Sequence, residues 1–334
     1  MSSQVDTTIT PGRNVPGSSA PGARAAFASR FYQSSDGLQL HYREYAGPSD
    51  APLTVLCLPG LTRNARDFED LAPHLARRYR VFCAEFRGRG LSAYAPNPAT
   101  YVPPVYVGDM AALLKAAGVS QVAVIGTSLG GLVATLMTAV MPAKILGVVL
   151  NDIGPVIDPA GLARIAGYLG KGRPLKSWED AAAVVEDMDG VIYPDYGKAD
   201  WLRMARRRFI ATPDGGFRPD YDFKIAEPFA GGATPDLWPY FARLRLVPTL
   251  ALRGATSDIL APETFARMGE VIPALRRVEV PNRGHTPYLD EPSALSAIDT
   301  FMAGLPPRLG MARRIRRSLS AAGFLVRLKL AGKI

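Results

Sequence analysis

A chain of 334 residues, 48% hydrophobic and 21% charged, has the makeup of a globular protein able to bury a large core, which excludes wholesale disorder. The net charge of +9 is unevenly placed: residues 305–334 hold eight Lys or Arg and no acid, residues 1–30 add Arg13, Arg24 and Arg30 against Asp6, and residues 31–304 are left close to neutral. A main body without a basic excess argues against nucleic-acid binding.

Residues 1–30 carry Pro, Gly and Ser throughout and no apolar run, so they read as a flexible arm rather than a signal peptide or membrane span. Residues 38–46, LQLHYREYA, alternate as a half-buried strand does. LTVLCL (53–58), RVFCAEF (80–86) and QVAVIG (121–126) are short continuous apolar runs, the pattern of strands covered on both faces. Helix-like segments lie between them at roughly 67–77, 104–117 and 129–140. Strand and helix in alternation imply a parallel, doubly wound α/β sheet. Cys57 and Cys83 fall inside two of the apolar runs and read as reduced core thiols, which suits a cytoplasmic protein.

After KILGVVLND (144–152) the alternation stops, and residues 154–247 are helical in patches, with Trp178, Trp201, Trp238 and many other aromatics. It returns with PTLALRGATSD (248–258), a helix over 261–272, LRRVEV (275–280) and a helix after DEPSAL (290–295). The organisation expected is a core of residues 31–153 and 248–304 interrupted by a cap of residues 154–247. Most of the cap aromatics are expected in its own small core, with some over the site. The basic cluster RMARRRF (203–209) reads as a solvated helix face, with contact to an acidic substrate as the alternative. In the tail, residues 305–334, basic residues are interleaved with Ile, Leu, Phe and Val. Such a pattern fits peripheral membrane contact, a helix docked on the body or a partner-binding element.

The junction VAVIGTSLGG (122–131) fits G-x-S-x-G as Gly126, Thr127, Ser128, Leu129 and Gly130. Small residues two before and two after Ser128 permit a sharp turn from strand to helix, which lifts the hydroxyl above the sheet. The Leu129 amide then sits at a helix N-terminus, where a free N–H can stabilise an oxyanion. A serine hydroxyl needs a base. Of three histidines, His41 lies in the early strand and His74 in a surface-type helix, whereas His285 follows a late strand in the loop PNRGHTPYLDEP. The base needs a carboxylate to fix its tautomer. Asp258, in the loop of the preceding strand, is the expected acid, and Asp152 at the end of LNDIGP's strand is its main competitor. A second oxyanion donor is expected from the loop LCLPGLTRNARDFED, at the amide of Leu61 after Gly60.

Over residues 31–304 the chain resembles the α/β-hydrolase superfamily, in particular its cap-bearing esterases, lactonases and carbon-carbon hydrolases. The resemblance rests on LPGLT, FRGRGLS (86–92), GTSLGG, GATSD and GHTPYLDEP. It implies an eight-stranded, mostly parallel sheet, a helical lid between strands six and seven, and acyl-enzyme chemistry at Ser128, Asp258 and His285 with no cofactor or metal. Members usually have His-Gly where this chain has Pro59-Gly60, a departure that bears on the shape of the oxyanion loop. A Ser nucleophile rather than an Asp argues against epoxide hydrolase or haloalkane dehalogenase chemistry. The activity expected is hydrolysis of a small or medium apolar ester or lactone. Carbon-carbon bond hydrolysis, acyl transfer and a binding protein without turnover remain open alternatives.

Overall fold

The computed structural model describes residues 27–229 and 236–331. Most of the expected N-terminal arm therefore lies outside the described residues. Its last residues differ from expectation, because Ala28–Gln33 form a strand, β1, antiparallel to β2 (Gln39–Tyr45).

The chain continues through β3 (Thr54–Leu58), α1 (Leu71–Ala76), β4 (Arg80–Ala84), α2 (Pro103–Ala116), β5 (Val122–Thr127), α3 (Leu129–Val140) and β6 (Ile145–Asn151). Every residue of β5 and β6 is buried, as their unbroken apolar runs require. Alternate residues serve opposite faces of the sheet. Leu56, Val124 and Val148 pack with Met110, Leu113 and Met137 from α2 and α3, while Cys57, Ile125 and Val149 pack on the other side with Leu71 and Leu75 of α1. Cys57 and Cys83 are both free and buried.

Between β6 and the next core strand lies a helical insertion: α4 (Pro159–Tyr168), α5 (Trp178–Asp189), α6 (Lys198–Arg208), a hairpin of β7 (Phe209–Ala211) and β8 (Phe217–Pro219), and α7 (Trp238–Phe241). The hairpin is an addition to the helical cap expected from the sequence. Tyr193, Trp201, Met204 and Phe209 form the insertion's own core together with Tyr288 from the sheet domain. The 203–209 cluster is not a simple solvated face. Arg207 and Arg208 are buried, Arg207 donates to Asp70 Oδ2 at 2.7 Å, and the guanidinium lies 5.2 Å from the Tyr288 ring centre.

The core resumes with β9 (Thr249–Gly254), α8 (Pro262–Val271), β10 (Arg276–Val280) and α9 (Pro292–Ala303). The eight strands are ordered β1-β2-β4-β3-β5-β6-β9-β10, with the pairs from β4 to β10 parallel. β5 is thus near the centre, and its carboxyl end opens between β3 and β6. Much of the tail forms α10 (Met311–Leu330), which docks beside α3. No helix among the described residues is long and apolar enough to cross a membrane.

Candidate functional site

Ser128 stands between the last residue of β5 and the first of α3, with φ 51° and ψ −115°. A non-glycine residue there carries strain of about 1–3 kcal/mol, sustained by the packing around it. The flanking glycines make that packing possible. A Cβ on Gly126 would run into the Gly130 carbonyl, and one on Gly130 into the Leu58 carbonyl of β3. The strand, turn and helix can close on one another only without those atoms.

The structure brings His285 to this hydroxyl, with Nε2 at 2.8 Å from Ser128 Oγ. On the other side of the ring, Nδ1 lies 2.7 Å from Asp152 Oδ2. Here the sequence-based expectation is corrected: Asp152, not Asp258, is the carboxylate on His285. Asp152 directly follows β6, the strand hydrogen-bonded to β5, and is fully buried. Its Oδ1 accepts from the Gly254 N–H at 2.7 Å and its Oδ2 from the Ser257 hydroxyl at 2.6 Å, so both oxygens are held.

Asp258 is engaged elsewhere. Arg164 of α4 donates to both of its carboxylate oxygens, from Nε at 2.5 Å and Nη2 at 2.9 Å, which ties the cap to the loop after β9. Burial opposes ionisation of Asp258, but the Arg164 hydrogen bonds and charge, with His285 beyond, hold its carboxyl below the ordinary value. His41 and His74 stand apart from the site: His41 is buried against Ser29 and Glu85, and His74 pairs with Asp299.

The loop after β3 carries Gly60 and Leu61 close to Ser128: a Cβ on Gly60 would stand 3.9 Å from Ser128 Cβ. The Leu61 carbonyl accepts from Arg89 Nε at 2.9 Å, an arrangement sequence reasoning missed. Arg89 is fully buried, and its Nη1 donates to the Arg87 carbonyl at 2.7 Å and to the Tyr106 hydroxyl at 3.0 Å. The GRG stretch after β4 thereby braces the loop after β3. Leu129 is the first residue of α3, so its N–H has no carbonyl four residues back within the helix.

The His285 loop is fixed from two sides. Asn151 Nδ2 donates to the Pro287 carbonyl at 2.8 Å. From the insertion, the Tyr193 hydroxyl donates to the Thr286 carbonyl at 2.6 Å, and the Ile192 carbonyl accepts from the Gly284 N–H at 3.0 Å.

Two hollows lie nearby, one reaching Leu129 and Ile153 and the other Thr62 and Arg63, and the lining of neither includes Ser128 or His285. An apolar cavity of about 480 Å³ is walled by Leu129, Leu132 and Leu136 of α3, Ile153 beside Asp152, Ile165 of α4 and Tyr240 of α7. A smaller one, about 100 Å³, has Arg63, Lys171, Arg173 and Arg208 beside Asp189 in a lining that is otherwise largely apolar, with Leu175, Val185 and Phe209. Burial opposes the Arg63 charge, but Asp67 and Asp189, with nearby Tyr288, raise its pKa above the ordinary value and keep it protonated. Among the described residues no cluster of His, Cys, Asp and Glu is arranged to hold a metal ion.

Residues 54–292 match the family profile described as alpha/beta hydrolase fold. The chain is 32% identical over 277 residues to the 3-hydroxybutyrate-oligomer hydrolase of Cupriavidus necator, a match that covers 80% of this chain and 93% of that one. It is 29% identical to the 2-(acetamidomethylene)succinate hydrolase of Mesorhizobium japonicum, covering 74% of this chain and 87% of that one. Among solved structures, an alpha/beta hydrolase from Novosphingobium aromaticivorans superposes with a TM-score of 0.80 at 47% identity, over 84% of this chain and 99% of its own. With the sheet order and the cap between β6 and β9, these likenesses establish that the chain belongs to the α/β-hydrolase fold family and is a hydrolase of that type.

Proposed function

We propose that the protein is a serine hydrolase that cleaves a carboxylic ester or lactone of small or medium size through an acyl-enzyme on Ser128, with Asp152 in the role expected of Asp258. The observation that carries this reading is the unbroken relay from Ser128 Oγ to His285 Nε2 and from His285 Nδ1 to the buried Asp152, at 2.8 Å and 2.7 Å.

Asp152 accepts hydrogen bonds only, so it holds the proton of His285 on Nδ1 and leaves Nε2 free to take one. As Ser128 Oγ bonds to the carbonyl carbon, its proton passes to Nε2. The Leu61 and Leu129 N–H groups meet the oxygen that gains charge, and Asp152, still ionised, stabilises the imidazolium. Collapse breaks the bond to the leaving oxygen, which takes the proton from Nε2. A water molecule then gives a proton to Nε2 as it attacks the acyl carbon, and the acid leaves as Ser128 recovers its hydrogen.

The two hollows support a substrate with unlike ends. The apolar cavity beside Leu129 and Ile153 suits an aliphatic chain, and its volume lies within the range of small-molecule sites. In the smaller one Arg63 and Arg208 are paired with Asp189, and the exposed Lys171 and Arg173 are the cations that could meet a carboxylate. A short hydroxyalkanoate ester has both features, and the similarity to a 3-hydroxybutyrate-oligomer hydrolase supports that class. The two buried thiols support a cytoplasmic location.

Replacing Ser128 with Ala should lower kcat on p-nitrophenyl butyrate by about 10⁴-fold or more, with the melting temperature unchanged. Hydrolysis by the purified variant within ten-fold of the parent would overturn the reading.

A further inference from the structure

Helix α10 buries one face and has a second apolar face that none of the described residues covers. Arg317, Ala321, Phe324 and Leu328 point into the body, where Arg317 donates to the carbonyls of Pro142 and Ile145 and Phe324 meets Tyr240 edge to face at 5.6 Å. At about 100° per residue, Met311, Ile315, Leu319, Val326 and Leu330 fall within one arc on the opposite side. Each is between 53% and 83% exposed. Surface helices of globular proteins normally carry polar residues there.

The margins of this stripe are cationic. Arg313, Arg316 and Arg327 run along one side, and Arg314 and Lys329 along the other, all exposed. Residues 305–334 contain no Asp or Glu, and on the docked side the buried Arg243 donates to the Ser320 hydroxyl at 2.9 Å. Burial, with the Arg313 and Arg316 charges beside it, pushes the Arg317 guanidinium down to about 10. We propose that this face of α10 is a docking surface for an anionic lipid bilayer, lying in the interface with its apolar stripe inserted and its flanking cations among the headgroups. The charge pattern selects this occupant over a second copy of the chain: two such faces brought together would oppose cation to cation with no acid on either side, whereas anionic headgroups neutralise both margins.

The test is co-flotation of the full chain with phosphatidylcholine vesicles containing ~30% phosphatidylglycerol, or none, beside the double variant Ile315→Glu/Leu319→Glu. The parent should float with the anionic vesicles, lose most binding between low and 0.5 M salt, and remain behind with neutral vesicles. The double variant should lose at least ten-fold in vesicle affinity while keeping the parent's rate on a soluble ester, because neither residue touches the site or the docked face. Arg314→Gln/Arg316→Gln should weaken binding by about five-fold per residue. Parent protein that stays with the soluble fraction at low salt would overturn the proposal, as would equal flotation of parent and double variant. A parent dimer in solution that the double variant abolishes, without vesicle binding, would assign the face to a second copy instead.

Discussion

Asp152→Asn and Asp258→Asn separate the two carboxylates that could serve His285, and the structure sets their consequences far apart. Asp152 is fully buried and accepts from three donors: the Gly254 N–H, the Ser257 hydroxyl and His285 Nδ1. The Ser257 oxygen already accepts from the Ile259 and Leu260 amides, so its own proton is committed to Asp152. An asparagine offers a single acceptor oxygen among these donors, and its NH₂ meets either the Gly254 N–H, in the place of Oδ1, or both Ser257 and His285, in the place of Oδ2. If it faces His285, the ring proton moves to Nε2 and the Ser128 proton has no acceptor. A fall in kcat of order 10⁴ is the measure of such a tautomer change, or about 5.5 kcal/mol in the barrier.

Asp258→Asn instead loses an ion pair with Arg164 whose carboxylate is 35% exposed, a contribution of at most about 1 kcal/mol after solvent screening. The folded pKa of Asp258 is lowered, so the pair stabilises fully above the unfolded value of about 3.9 and loses its contribution as pH falls through the folded value. Its variant should therefore be slightly less stable than the parent at pH 7, by a margin that narrows toward pH 3, and within a few-fold of the parent in kcat. Initial rates on p-nitrophenyl butyrate with urea melts at both pH values decide the matter. Loss of activity in Asp258→Asn with retention in Asp152→Asn would refute the assignment.

Arg89→Met should lower kcat ten-fold or more with little change in KM and should destabilise the fold by about 3 kcal/mol, because the Leu61 and Arg87 carbonyls and the Tyr106 hydroxyl lose a buried donor; urea melts and saturation kinetics read the two effects. Ile165→Trp projects a larger ring into the apolar cavity, so kcat/KM for p-nitrophenyl octanoate should fall by about ten-fold or more while the acetate rate stays near that of the parent. A uniform loss across both esters would place the acyl chain elsewhere.

The parts of the site that depend on local chain geometry were legible in the sequence. Gly126, Ser128 and Gly130 specify a turn by their sizes alone, and the unbroken apolar run before them marks a central strand. His285 was distinguished from His41 and His74 because it follows a late strand in a Gly- and Pro-containing loop. The acid was not legible in the same way. Asp152 and Asp258 both follow strands adjacent to one another, and the choice between them turns on side-chain reach across β6 and β9. The deciding contact, Arg164 with Asp258, spans 94 positions in the chain and comes from the cap, for which the sequence offers no register. One local signal did exist: Asn151-Asp152 sets two polar residues at the end of a wholly buried strand, and both are used, one on the Pro287 carbonyl and the other on His285. Arg89 and Arg207 were hidden for a related reason, since their burial depends on partners distant in the chain.

Those distant partners also show why cap and core act as one unit. The insertion could have rested on the sheet domain through apolar packing alone, yet several of its polar ties reach the two loops beside Ser128, in addition to those of Arg164 with Asp258 and Arg207 with Asp70. Tyr193 and Ile192 hold the backbone on either side of His285. Asn64 donates to the Arg207 carbonyl and to Asp220, and Arg66 donates to the same two groups, from the loop that carries Gly60 and Leu61. Asn64 and Asp220 are buried, so these bonds are not exchanged for water at small cost. The insertion that walls the apolar cavity with Ile165 and Tyr240 is therefore also part of what fixes His285 and the loop of Gly60 and Leu61. Substitutions made in the cap to alter chain-length preference will leave kcat intact only where they spare Ile192, Tyr193, Arg207 and Asp220.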